Sequence, residues 1–121
     1  MSVITSLQIG QNKIQVNEGN TPTITDITNQ FTTTDNMNFN LNSEMTENCI
    51  INITGHGNET SNTVCVLLSL KNNNVVRAVS TVGLAGRSMC IELGLHKGEK
   101  VRFIFQNSLP KDYTVNKIVY S

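Results

Sequence analysis

Two histidines, nine scattered carboxylates and three cysteines are the side chains of this 121-residue chain best suited to chemistry, and their spacing assembles little of it. No D-x-D or D-x-N-x-D run supplies the oxygen-rich loop that calcium needs, and no His or Cys pair has zinc-ligand spacing. A G-x-S-x-G nucleophile turn is absent, and so is a phosphate-cradling glycine loop. Gly83 to Ser88 has suitable glycines but lacks the downstream lysine. His96 sits in Leu95-His96-Lys97-Gly98 and reads as a solvated turn histidine. His56 is the more suggestive of the two. Gly55-His56-Gly57 places it on pliable backbone, with Asn58 and Glu59 following. Such a loop can turn N–H groups toward an anion, and Glu59 is placed to pair with the imidazole. The plain alternative is a solvent-exposed sheet connection. Tyr113, beside a turn, is the best-placed ring for stacking on a sugar, and the asparagines could supply hydrogen bonds. No catalytic, metal or cofactor constellation emerges, so the expectation is a protein that is not an enzyme.

Composition narrows the partners. Nine basic and nine acidic residues give zero formal net charge. Nucleic-acid binders carry a basic stripe, because phosphate neutralisation supplies much of their affinity. Here the densest basic stretch, Lys97 to Arg102, is interrupted by Glu99. Nucleic acid and anionic membranes are therefore disfavoured. No stretch has the roughly 18–20 apolar residues that span a bilayer. The start, Met1 to Gln8, lacks the basic and apolar regions of a signal peptide, so a cytoplasmic product is expected, one that could be built into a virion. Cys49, Cys65 and Cys90 all lie in apolar runs and read as small buried hydrophobes with free thiols, one bridge between two of them remaining open. Asn52-Ile53-Thr54 and Asn58-Glu59-Thr60 match the glycosylation triplet by chance in an Asn- and Thr-rich chain.

The elements that must position these residues are strands. Met37-Asn38-Phe39-Asn40-Leu41 alternates cleanly, sending Met37, Phe39 and Leu41 inward and the asparagines outward. Other strands are expected at Val3–Ile9, Lys13–Val16, Thr23–Phe31 (Ile24 and Phe31 inward), Cys49–Thr54, Val64–Leu70, Val75–Thr81, Met89–Leu93, Lys100–Gln106 and Tyr113–Tyr120. Asn tolerates positive φ, so the Asn72-Asn73-Asn74 triplet predicts a tight hairpin. No helix is expected. A chain of this length makes one domain, residues 1–121, burying roughly two thirds of its unfolded surface. The predicted fold is all-β: an antiparallel two-sheet sandwich of eight to ten strands, with a closed barrel second.

The C-terminal half adds a resemblance. Val64–Leu70, the asparagine turn and Val75–Thr81, then Met89-Cys90-Ile91-Glu92-Leu93 and Leu95-His96-Lys97-Gly98-Glu99-Lys100-Val101-Arg102-Phe103, are similar to hairpin and late-strand segments of small jelly rolls. The resemblance is to tumour-necrosis-factor-like and complement-like trimeric heads and to β-sandwich domains of phage fibres and decoration proteins. It covers about 45 residues. It implies that the two-sheet sandwich is jelly-roll-like, trimeric, and acts by surface contact and not by catalysis.

The expected function is accordingly a non-enzymatic structural or adhesion module, such as a phage head-decoration or fibre domain, self-associating as a trimer or within a larger assembly. The alternative is a carbohydrate-binding or lectin-like domain with the glycan at Gly55 to Asn62 and Tyr113. Candidate ligand or partner contacts are His56, Asn58, Glu59 and Tyr113. Candidate interface residues are Ile50 and Ile104, which alternation leaves outward, with Leu84 and Arg87 in the connection Val82 to Arg87.

Overall fold

A computed structural model describes residues 21–35 and 37–120; the expected strands at Val3–Ile9 and Lys13–Val16 lie outside them. The described chain is almost entirely strand: β1 (Pro22–Asp26), β2 (Phe31–Asp35), β3 (Asn38–Leu41), β4 (Cys49–His56), β5 (Thr63–Lys71), β6 (Asn74–Gly83), β7 (Ser88–Leu95), β8 (Lys100–Gln106) and β9 (Asp112–Tyr120). They form two antiparallel sheets, ordered β1-β9-β4-β7 and β2-β3-β8-β5-β6.

One turn organises this order. Asn72 and Asn73 both adopt positive φ, 52° and 65°, and Lys71 pairs with Asn74. That is the two-residue type I′ geometry, whose twist suits a hairpin and which asparagine tolerates. The pairings of β5 with β6, β4 with β7, β3 with β8 and β1 with β9 are nested around it, while β2 pairs with β3 as a separate hairpin. The domain is thus one long antiparallel ribbon, rolled so that successive segments fall in opposite sheets. This is the jelly-roll form of the β-sandwich; alternation predicts the two-sheet sandwich, and the resemblance its jelly-roll form.

The core lies between the sheets. From the four-stranded sheet come Ile51, Ile53, Ile91, Leu93 and Val115; from the other come Cys65, Leu67, Val101, Phe103 and Phe105. Phe39 stacks on Phe103 at 4.8 Å with an interplanar angle of 8°, and Phe31 meets the same ring edge-on at 4.8 Å. With no tryptophan in the chain, this phenylalanine cluster supplies the largest buried groups.

The expected strand Thr23–Phe31 breaks in two. Asp26 Oδ1 accepts hydrogen bonds from the Thr28 backbone N–H (2.9 Å) and hydroxyl (2.6 Å), folding the chain into a 3-10 turn at Thr28–Gln30. Aspartate and a following hydroxyl compete with strand pairing in this way. Ile27, at the bend, is buried, whereas Ile24 stands outward and 62% exposed, contrary to its expected inward position. Phe31 does pack on the core, and Pro22 begins a strand at the edge of its sheet among the described residues.

Candidate functional site

His56, Asn58 and Glu59 gather at one end of the sandwich, where the β4–β5, β6–β7 and β8–β9 connections meet. The glycines around His56 are explained by close backbone approach. A Cβ on Gly55 would lie 2.2 Å from the Asp112 carbonyl oxygen, and one on Gly57 would lie 2.4 Å from the carbonyl oxygens of Gly83 and Leu84. The Gly57 N–H donates to Arg87 O, and Gly86 N–H donates to Asn58 O. These N–H groups are spent on neighbouring loops and not turned toward an anion.

Asn58 is the hub of this end. Its amide Nδ2 donates to Leu109 O (2.9 Å), and its Oδ1 accepts from the Thr60 N–H and hydroxyl. Its own N–H donates to the hydroxyl of buried Thr63. The side chain therefore ties loops together. Glu59 does not pair with His56: it lies 3.5 Å from Lys111 Nζ, while His56 Nδ1 lies 3.0 Å from Asp112 Oδ1. The register explains the exchange, because His56 and Asp112 are directly opposed on β4 and β9. Tyr113 also departs from its expected role. Its ring packs edge-on against Phe39, Phe103 and Phe105, at centroid distances of 5.1–6.0 Å. Burial pushes its phenol pKa up. A ring so engaged is not a free platform for a sugar.

Strand pairing also exposes a neighbour that linear spacing conceals. Ser88 on β7 lies opposite His56, so Ser88, His56 and Asp112 stand in one row across the outer face of the four-stranded sheet. Their types are those of a hydrolytic triad. The geometry is not, because among the described residues no hydrogen bond joins Ser88 to His56. Neither the cavity beside Asn72 and Arg102 nor the shallow one beside Arg77 and His96 touches the row.

The candidate interface residues separate into three places. Leu84, 55% exposed, and Arg87 project at the loop end. Ile50 faces outward on the four-stranded sheet, in register with Ile118 and, through it, Ile24. Ile104 faces outward on the other sheet, where its β5 partner is Val66. Beside them lie Val64, Leu68 and Ala78, with Val82 half exposed, so the outer face of β8-β5-β6 is largely apolar. Val64-Cys65-Val66-Leu67-Leu68 carried the signal: a strand apolar at consecutive positions, not alternate ones, has two faces to cover.

Cysteine placement follows the same alternation. Cys49 and Cys65 are buried, and burial raises both thiols, Cys65 to about 12. Cys90, expected inside, faces outward between inward Met89 and Ile91, within 3.5 Å of Asn52 Nδ2. All three are free thiols.

Opposite the loop end, a buried carboxylate that the sequence reading passed over joins the sheets. Glu99 Oε1 accepts from the His96 N–H (2.8 Å), the Ser69 hydroxyl (2.9 Å) and the Arg77 guanidinium. Arg77 Nε donates onward to Gly94 O on the facing sheet. Burial alone pushes the Glu99 carboxyl up, but these hydrogen bonds and the arginine charge hold it below its ordinary value.

The fold and these surfaces define a class, a jelly-roll β-sandwich whose notable features are its faces and ends. Among the described residues no group of three or more His, Cys, Asp or Glu could hold a metal, and no helix is long and apolar enough to cross a membrane. Comparison with protein families and with curated proteins finds no match to this chain.

Proposed function

We propose that this protein is a non-enzymatic structural module that works by protein–protein contact, assembling with further copies of itself through the outer face of its five-stranded sheet. The observation that carries this is the outward apolar set Val64, Val66, Leu68 and Ile104, bordered by half-exposed Val82. An antiparallel sheet with one face in water normally alternates apolar-in and polar-out, and contiguous exposed apolar surface marks interaction sites. The zero net charge supports the reading, because little self-repulsion opposes association. A trimeric component of a virion, of the head-decoration or fibre kind, is the assembly that the resemblance of the C-terminal half implies.

Light scattering across a dilution series tests this. The expected result is a stable closed oligomer, a trimer, that Val66→Asp and Ile104→Asp each reduce to monomer while the β-sheet circular dichroism is retained. A strict monomer at every concentration overturns the proposal. So does an oligomer indifferent to both substitutions.

A further inference from the structure

At the hairpin end of the sandwich, a cavity of about 340 Å³ opens where the β5–β6 turn, the β3–β4 connection and the start of β8 converge. Its size falls at the small end of the roughly 300–1,000 Å³ typical of small-molecule sites. Buried Leu41, Leu70 and Val101 contribute to its lining. The remaining wall is polar, with Asn40, Asn42, Asn72 and Asn73 beside Lys100, Arg102 and Glu44.

We propose that this cavity binds an acidic sugar, a hydroxylated ring carrying a carboxylate, at the hairpin-end margin of the assembly face, where Arg102 lies opposite Leu68. The charge pattern sets the sign of the ligand. Two cations face one carboxylate, and among the described residues no ion pair engages Lys100, Arg102 or Glu44. Arg102 is held in place: its Nε donates to Asn40 Oδ1 at 2.6 Å, which fixes the guanidinium plane and leaves its Nη groups for a carboxylate. The asparagines set the rest of the chemistry. The Asn72 and Asn73 amides offer both donors and an acceptor, matching hydroxyls that both donate and accept, while Asn40 Oδ1 is taken by Arg102 and Asn42 Nδ2 donates to Thr32 Oγ1. Glu44 contributes acceptors only, which favours a ligand carrying hydroxyl donors over a bare oxyanion.

The presentation is rigid. Asn72 and Asn73 are fixed by the two-residue turn, and Lys100 and Arg102 by pairing to Leu70 and Leu68 of β5. Asn40 is opposite Arg102 on β3. A site held by strand register pays little ordering cost on binding. The loop end offers no such set, since its asparagine groups are consumed by neighbouring loops.

The test is an amide-resolved NMR titration of the full chain with D-glucuronate and N-acetylneuraminate, alongside glucose and inorganic phosphate. Saturable shifts are expected with at least one acid at millimolar concentration, confined to Asn40–Glu44, Asn72–Asn73 and Gly98–Arg102, and weaker or absent with glucose and phosphate. Lys100→Gln should weaken binding by about two- to fivefold, the range of an exposed ion pair. Arg102→Gln should weaken it by about tenfold or more, as for a charge-assisted hydrogen bond. Lys100 is exposed at the surface, so its variant keeps the test interpretable should Arg102→Gln disturb the fold. No shift at these amides with either acid overturns the proposal. Glucose binding as tightly as the acids removes the charge argument, and phosphate binding as tightly removes the sugar. Undiminished binding by Lys100→Gln and Arg102→Gln together would also sink it. Because the readout is local, its failure leaves the oligomer measurement untouched, and the reverse holds too.

Discussion

The two ends of the sandwich are both rich in asparagine and differ in what their turn asparagines do. At the loop end Asn58, Asn62 and Asn107 direct their side chains to other loops: Asn58 to Leu109 O, Asn107 to Asn62 O, and Asn62 to the Ala85 N–H. At the hairpin end the side chains of Asn72 and Asn73 form no hydrogen bonds among the described residues; Asn48 Oδ1 accepts from the Lys97 N–H, Asn42 Nδ2 donates to Thr32 Oγ1, and a buried carboxylate, Glu99, gathers three donors. Four connections at the loop end and three at the hairpin end must be satisfied, because buried backbone groups need partners. Where one buried anion gathers three donors, the two amides of the β5–β6 turn are left to face solvent. Where no such group exists, the amides themselves become the connectors. A count of asparagines is therefore uninformative about function, and their hydrogen-bond partners are decisive.

The sharpest way to break this comparison is to remove the carboxylate. Glu99→Ala leaves the Arg77 guanidinium and the Ser69 hydroxyl without their acceptor and frees the His96 N–H. Loss of one member of a largely buried pair should cost about 3 kcal/mol of unfolding free energy, read as a lowered denaturant midpoint. The acid response follows from the same group. A carboxyl held below its ordinary value of 4.5 contributes stability that is present above that pH and lost as pH falls through the folded value. The native chain should therefore be flat in stability near neutrality and weaken on acidification below about pH 4.5, the slope shrinking in Glu99→Gln. An unchanged acid slope in that variant would place the acid sensitivity elsewhere.

Glu99 also shows where reading the sequence stops. Lys97 to Arg102 looks like a solvated charged turn, and nothing linear says that Arg77 and Ser69, from the β6 and β5 segments, will close over one of its acids. Strands were legible because alternation is a local property: Asn38 and Asn40 outward with Phe39 and Leu41 inward is recovered in the fold, as is the asparagine hairpin, which uses Asn72 and Asn73 and leaves Asn74 to start β6. The Asp26–Thr28 turn was also local, and its signal, an aspartate two residues before a hydroxyl, was present but outweighed by β-branched neighbours. Cross-strand rows and end clusters were not legible, because they depend on which distant strands pair. Ser88 opposite His56, Tyr113 among the phenylalanines, and the convergence of Asn72 with Arg102 are all of that kind.

At the loop end the comparison predicts a smaller but distinct loss. Asn58→Ala removes the bond to Leu109 O and both bonds from Thr60, and should cost about 1–2 kcal/mol. The damage should be local, appearing as faster protease cleavage between Gly57 and Asn62 and faster amide exchange at Thr60, with the hairpin end unaffected. If Asn58→Ala unfolds with native stability, the Asn58 side chain is only a surface ornament of the crossing loops.

The smallest effect is expected at Asn73, and it is the one that sharpens the contrast most. Its φ of 65° is tolerated by asparagine and is free of strain for glycine. Asn73→Gly relieves what remains of that strain and adds freedom to the unfolded chain, two terms of similar size and opposite sign. The net change in stability should stay within about 0.5 kcal/mol, whereas a β-branched Asn73→Val should cost about 1–2 kcal/mol, because the turn forces it into the left-handed region. Asn73→Gly thus deletes an amide from the cavity wall while leaving the hairpin intact. A large loss of stability in that variant would mean that the Asn73 side chain is a connector after all, and the two ends of the molecule would differ only in where their connectors point.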